Sequence, residues 1–227
     1  MKKIKLILAS SSKYRKDLLQ QHYLPVEQVK PLVDERLIPH EKPRARALRL
    51  GKAKGESVVQ KIRSIKPWLV LASDQVCHLD GKIYQKPGTV EIACSHLTKF
   101  SGRWVTFSTS LVLVDYRDQR IEVVEDYRLQ FRKLSKVDID EYIELDNPID
   151  CAGAIKVESF GLSLLKNAEG RDINSVYGMP LLAFFEGLRT YFPSIKPTLE
   201  APTGPINGIP EIAKAADEAM IDNISAS

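Results

Sequence analysis

The sequence predicts an α/β protein with a mixed sheet, in which some strands pair antiparallel. Three observations lead there. Apolar runs of strand length, Ile4 to Ala9 and Trp68 to Ala72, alternate with segments striped at helical spacing. Asp80-Gly81, between Val76-Leu79 and Lys82-Tyr84, is a hairpin signal. Two long strands, Arg103 to Asp115 and Ile121 to Arg132, are joined by the polar loop Tyr116 to Arg120.

The first strand, Ile4 to Ala9, is followed by a helix from Lys13 to about His22, with Leu18, Leu19 and His22 on one side. Ser10-Ser11-Ser12 lies between them, and such a junction offers hydroxyls and free backbone N–H groups to an anion. Pro43 to about Ile62 has apolar or small residues at 48, 51, 55, 58, 59 and 62, a helical stripe with its cations largely elsewhere. The run Trp68 to Ala72 reads as a buried strand that ends on a lone carboxylate, in Ala72-Ser73-Asp74-Gln75-Val76. Strands of α/β proteins present functional groups where they leave the sheet, so Asp74 is a candidate for chemistry. Its plain alternative is an aspartate that starts a turn.

Thr89 caps a helix whose inner face holds Ala93, Leu97 and Phe100. Ser135-Lys136-Val137-Asp138 resembles a capping box, opening a helix with Ile139, Tyr142 and Ile143 inward. After an irregular stretch from Asn147 to Gly153, Leu181, Phe185, Leu188 and Phe192 stripe the last core helix. Pro193, Pro197, Pro202, Pro205 and Pro210 then crowd a short span. The division is one folded domain over residues 1–192 and a flexible tail over 193–227, with one weak helix near Glu211 to Ile221 and no catalytic role.

Hydrophobic residues make up 44% and charged residues 27% of the 227, the balance of an ordinary soluble globular protein. The opening apolar run is about four residues, against about 7 to 15 for a secretory signal, so a cytoplasmic protein is expected. No stretch approaches the roughly 18 apolar residues of a membrane span. Cys77, Cys94 and Cys151 are far apart and form no CxxC pair, which argues against a disulfide framework or a zinc site. The net charge of +4 hides an asymmetry: residues 1–66 hold 17 Lys/Arg against 6 Asp/Glu. That third faces an anion, a nucleic acid or a nucleoside polyphosphate, or is a solvated basic face.

Polar groups gather at predicted element ends: Ser10, Ser12, Arg15 and Lys16; Asp34-Glu35; Asp74-Gln75; and Lys86, with Lys54 on the long basic helix. Together they supply cations for a polyphosphate and carboxylates for a divalent metal, the combination that phosphoryl and nucleotidyl transfer require. There is no Walker A loop, GxGxxG or HExxH.

In this order the segments resemble the Maf-like nucleoside triphosphate pyrophosphatases over about residues 4–192. The matching segments are Leu6 to Leu19, Val33-Asp34-Glu35, Ala53-Lys54, Ser73 to Val76, Asp80-Gly81 with Lys86-Pro87, Phe100-Ser101-Gly102, Cys151-Ala152-Gly153, Glu158 to Gly161, and Gly178 to Leu181. The resemblance implies an elongated α/β fold with a central cleft between two lobes, a homodimer, and hydrolysis of a nucleoside triphosphate to the monophosphate and pyrophosphate with Mg²⁺ or Mn²⁺. It implies Asp74 as proton acceptor, Ser10, Ser12, Arg15, Lys54 and Lys86 as phosphate contacts, and Glu35 with Asp74 on the metal. Lys13 and Lys16 depart from the proline and second arginine usual in the family, which bears on affinity more than on reaction type.

Ser-Asp-Gln at 73–75, Cys-Ala-Gly at 151–153 and Glu158 resemble the 7-methyl-GTP branch. The dTTP/UTP branch typically reads Ala-Asp-Thr with a downstream glutamine. A carboxylate only accepts, and guanine offers two adjacent donors, so Glu158 suits guanine and repels the acceptors of uracil or thymine. Tyr14 stands where that branch tends to have tryptophan, and stacks a cationic purine less strongly. Tyr14, Gln75 and Glu158 are thus the expected specificity residues. The alternatives are the same chemistry on dTTP or UTP, or a nucleotide-binding inhibitor of septum formation acting through a protein partner. Nucleic acid and membrane are not expected partners. Cys151 reads as a small buried side chain, not a nucleophile.

Overall fold

A computed structural model describes residues 4–64 and 67–193. The expected tail beyond Pro193, with its weak helix, lies outside the described residues. One eight-stranded sheet organises the described residues. Strand β1 (Lys5–Leu8) pairs in parallel with β2 (Glu27–Gln28) and β3 (Trp68–Ala72). β3 and β4 (Gln75–Leu79) lie end to end along one edge of β6 (Trp104–Asp115), both antiparallel to it. One register runs through both, with Ala72 opposite Val112 and Gln75 opposite Thr109. β5 (Lys82–Tyr84) returns on β4 through Asp80-Gly81, both with positive φ. The other edge of β6 holds β7 (Arg120–Phe131), which holds β8 (Leu165–Gly170).

Among the described residues five α-helices pack on this sheet: α1 (Lys13–Gln21), α2 (Pro43–Ile62), α3 (Val90–Phe100), α4 (Lys136–Asp146) and α5 (Leu181–Tyr191). In one half both sheet faces are covered. Val70, Val112 and Val114 pack with Val58 and Val59 of α2, while Leu69, Leu71, Leu111 and Leu113 pack with Leu18 and Leu19 of α1 and Phe184 of α5. Two-sided burial is why Trp68 to Ala72 is apolar without alternation. In the other half Leu97 and Phe100 of α3 and Tyr142 of α4 pack on Cys77, Phe107 and Phe131. The long β6–β7 hairpin runs through both halves, and the functional cleft opens where β3 passes into β4.

The expected caps form: Thr89 accepts from Ile92 N, and Ser135 with Asp138 makes a complete capping box. Four details differ from the sequence reading. His22 is exposed at the C-terminus of α1, and Leu24 beyond it is buried instead. Phe184 takes the core position in α5, with Phe185 only partly buried. The stripe of α2 also includes two cations, Arg46 and Lys54, both buried. β2 and β8 were not expected, one being two residues long and the other, Leu-Lys-Asn-Ala-Glu-Gly, exposed and without alternation.

Candidate active site

Between β3 and β4 the ladder opens for two residues, Ser73 and Asp74. Ser110 of β6 spans the gap: its N–H donates to Asp74 O and its hydroxyl accepts from Asp74 N, each at 2.9 Å. Gly51 of α2 allows this, because a Cβ there would stand 2.3 Å from Ser110 Oγ. Ser73 Oγ donates to Gly178 O at 2.7 Å, tying the strand to the loop before α5. The Asp74 side chain thereby enters the floor of a cleft of about 880 Å³. That volume suits a ligand of nucleotide size.

Lys54 reaches the same floor from α2. Its Nζ lies 2.5 Å from Asp74 Oδ1 and 2.8 Å from Glu35 Oε1. Asp74 is 7% exposed, and desolvation pushes its carboxyl above the ordinary aspartate value, against the pull of Lys54 and Arg15. Glu35 moves the other way. Desolvation raises it, but the bond to Lys54 and the charges of Lys54, Lys86 and Arg15 together hold it below the usual range.

The serine-rich junction forms one wall. Ser12 caps α1 by accepting from Arg15 N at 3.4 Å. Ser10 Oγ accepts from Ser12 N and from the Arg15 guanidinium, which leaves its hydrogen to donate into the cleft. Arg15 Nε donates to Gly178 O at 2.8 Å. Burial disfavours its charge, with Asp74 and Glu35 opposing, so this guanidinium is a cation that an entering anion stabilises. Exposed Lys86 lines the cleft as well.

A second group of side chains surrounds Tyr14. The phenol donates to Asp150 at 3.3 Å, and Lys156 Nζ stands 5.9 Å from the ring centroid. Lys156 does not pair with Glu158; it donates to Asp146 O and approaches Asp150 at 3.8 Å. Glu158 also lines the cleft, and desolvation, with Asp146 and Asp150 nearby, pushes its carboxyl up. Gln75 is anchored: its amide nitrogen donates to Ser175 O, Val176 O and Thr109 Oγ1 at 2.7 to 3.2 Å, so its carbonyl oxygen is the atom left to read a ligand. Cys151 is partly exposed in the cleft, not buried as expected, and burial with Asp150 raises its thiol to about 12. A thiol so rarely ionised is a poor nucleophile.

All ten expected site residues, Ser10, Ser12, Tyr14, Arg15, Glu35, Lys54, Asp74, Gln75, Lys86 and Glu158, therefore line one cleft. Asp34 does not join them; it pairs with Arg36. The sequence reading missed Asp150 and Lys156 beside Tyr14, the Gly178 carbonyl that orients Arg15, and Arg46. The i, i+4, i+8 spacing of Arg46, Leu50 and Lys54 on α2 was the available signal for the last of these.

Fold and site together define an α/β protein whose cleft sets several cations around a buried, ionisable carboxylate, a receptor for a phosphorylated ligand. The chain belongs to the Maf family: the profile described as Maf-like protein matches residues 5–191. A protein of Idiomarina loihiensis named 7-methyl-GTP pyrophosphatase is 41% identical over 187 residues, 82% of this chain and 94% of that one. Among solved structures, a nucleoside-triphosphatase / dITP/XTP pyrophosphatase from Mycobacterium abscessus aligns at 15% identity with a TM-score of 0.35, over 58% of this chain and 76% of that chain. None of the helices among the described residues is long and apolar enough to cross a membrane.

Proposed function

We propose that this protein hydrolyses 7-methyl-GTP between the α- and β-phosphates, in the cytoplasm, releasing 7-methyl-GMP and pyrophosphate and so keeping a modified nucleotide out of nucleic acid. The observation that supports it most is the division of the cleft into two electrostatic groups. Arg15 and Lys54 act on Asp74 and, together with Lys86, on Glu35, whereas Asp146, Asp150 and Lys156 act on Glu158. The first group suits a polyphosphate. The second, acidic on balance beside an aromatic ring, suits a purine made cationic by N7 methylation.

Asp74 accepts the proton of the water that attacks the α-phosphorus, and a base of raised pKa does so better than an ordinary aspartate. The bond from that phosphorus to the bridging oxygen breaks, and pyrophosphate leaves with the pair of electrons. Arg15, Lys54 and Lys86, with the Ser10 hydroxyl and the first-turn N–H groups of α1, stabilise the charge on the phosphates. No group of three or more His, Cys, Asp or Glu side chains suited to a metal forms among the described residues. Two carboxylates meeting at one ammonium, Asp74 and Glu35, do fit Mg²⁺ or Mn²⁺ of the kind completed by substrate phosphates. Such an ion supplies neutralisation of phosphate charge. Glu158 accepts from the N1–H and amino group of guanine, with Tyr14 against the ring and the Gln75 carbonyl as a further acceptor.

The test is pyrophosphate release with Mg²⁺ or Mn²⁺ from 7-methyl-GTP, GTP, UTP and dTTP at equal subsaturating concentration. Release fastest from 7-methyl-GTP is expected. Preference for UTP or dTTP refutes the base-reading argument, and no release from any of the four refutes the activity. The proposal includes the homodimer implied by the family, and light scattering on the purified chain tests it.

A further inference from the structure

Glu35 sits in a segment with no regular structure, residues 29–42 between β2 and α2. Such a segment is held by side chains or not at all. Here α2 acts as a rail. Lys61 Nζ donates to Lys30 O at 2.8 Å, and Ser57 Oγ accepts from Leu32 N at 2.9 Å. Nearer the start of α2, Arg46 donates through NH1 to Arg36 O at 3.0 Å and through NH2 to Glu35 O at 2.6 Å. Arg46 is 5% exposed. Its charge is met by Glu41 at 3.7 Å, and Glu41 is itself gripped by Arg49 through two bonds of 2.6 and 2.7 Å. A buried guanidinium is costly, and this one spends its planar fork on two successive carbonyls of the segment that contains Glu35.

We infer that Arg46 is a positioning residue, which fixes the backbone at 35 and 36 so that the Glu35 carboxylate points at Lys54 and the cleft. The inference rests on the reading of Glu35 as a metal-holding carboxylate. The Glu35 side chain is 55% exposed, so its own packing does not hold it. With the main chain anchored at that residue, only side-chain rotations remain to be ordered. Lysine keeps the charge and the pairing with Glu41 but lacks the fork, so it cannot grip both carbonyls at once.

Direct Mn²⁺ titration, read by paramagnetic resonance in the presence of the α,β-methylene analogue of 7-methyl-GTP, tests this without turnover. Arg46→Lys is expected to weaken Mn²⁺ binding about tenfold or more, as loss of a residue that orients a ligand does. Glu35→Gln is expected to weaken it at least as much, and the double variant to match Glu35→Gln within about twofold, because residues acting through one group are not additive. The melting temperature of Arg46→Lys should stay within a few degrees of the parent. Wild-type Mn²⁺ affinity in Arg46→Lys beside a weakened Glu35→Gln overturns the inference alone. So does a double variant weaker than Glu35→Gln, or loss of the cooperative melt in Arg46→Lys. Wild-type affinity in Glu35→Gln refutes the reading of Glu35, and the inference with it.

Discussion

Lys54→Met should destabilise the protein far more than Asp74→Asn, although both remove the same ion pair. Methionine leaves Asp74, 7% exposed, without its ammonium. Orphaning a buried charge costs about 3–5 kcal/mol. Arg15 still attracts Asp74, which places the loss near the lower end, about 3 kcal/mol. In a chain of this size that lowers the melting temperature by about 6–12 °C. Asparagine orphans nothing, because Lys54 keeps Glu35 at 2.8 Å and the desolvation cost of the Asp74 carboxylate disappears. The Asp74→Asn melt should shift by no more than about 2 °C, while turnover falls about 10²- to 10⁴-fold for want of the base. The pH dependence has a definite sign. An acid whose folded pKa is raised costs stability above its unfolded value, and protonation removes the cost. Without Lys54 the Asp74 carboxyl is raised further, so the Lys54→Met deficit should be largest near pH 8 and shrink toward pH 5. Calorimetric melts of both variants at the two pH values decide it. Equal deficits at both, or an Asp74→Asn melt as low as that of Lys54→Met, would show that Lys54 is not what makes a charged Asp74 tolerable on the cleft floor.

Glu158→Gln should lower the ratio of kcat/KM for 7-methyl-GTP over UTP about tenfold or more, since glutamine offers pyrimidine acceptors a donor; an unchanged ratio measured on the purified variant would mean that Glu158 does not read the base. Gly178→Ala should raise KM for the nucleotide and lower the stability by about 1–3 kcal/mol through strain, because φ is +96° there and an added Cβ would lie 3.1 Å from Arg15 Nε. Parent-like KM in that variant would mean that the loop does not set the Arg15 orientation.

Legibility in the sequence followed the range of the physics. The capping box at Ser135, the hairpin at Asp80-Gly81 and the apolar run of β3 are local patterns, and each forms where the residues say it does. β8 escaped because its ladder partner, β7, lies far back in the chain and its side chains, Leu165 apart, stay in solvent. The cleft residues were found through the order of short motifs, not through any one of them. What no motif could disclose is the segment around Glu35, whose shape comes from Arg46, Ser57 and Lys61 on α2 binding its backbone. Periodicity aligns Arg46 with Leu50 and Lys54 on α2, but a cation on an apolar stripe is read as an exception until its partners are seen.

Those partners also account for part of the charge of the basic first third of the chain. On the outer side of α2 the charges meet β7: Lys52 pairs with Glu122, Arg44 with Asp126, and Glu56 with Arg120. On the inner side Arg46 and Lys54 meet Glu41, Glu35 and Asp74. Four cations of the first third, Arg44, Lys52, Lys54 and Arg63, thus meet acids that lie beyond residue 66, which offsets part of the +11 excess of residues 1–66. A nucleic-acid groove requires Lys and Arg that release counterions when phosphates arrive, and cations already paired across a sheet release few. The cleft differs in one respect. Its guanidinium at Arg15 is buried and short of compensation, so a polyphosphate entering there gains attraction that the paired cations on the outer face of α2 do not give. The distribution of pairs, more than the number of basic residues, thus makes the cleft the place where a small phosphorylated ligand gains most.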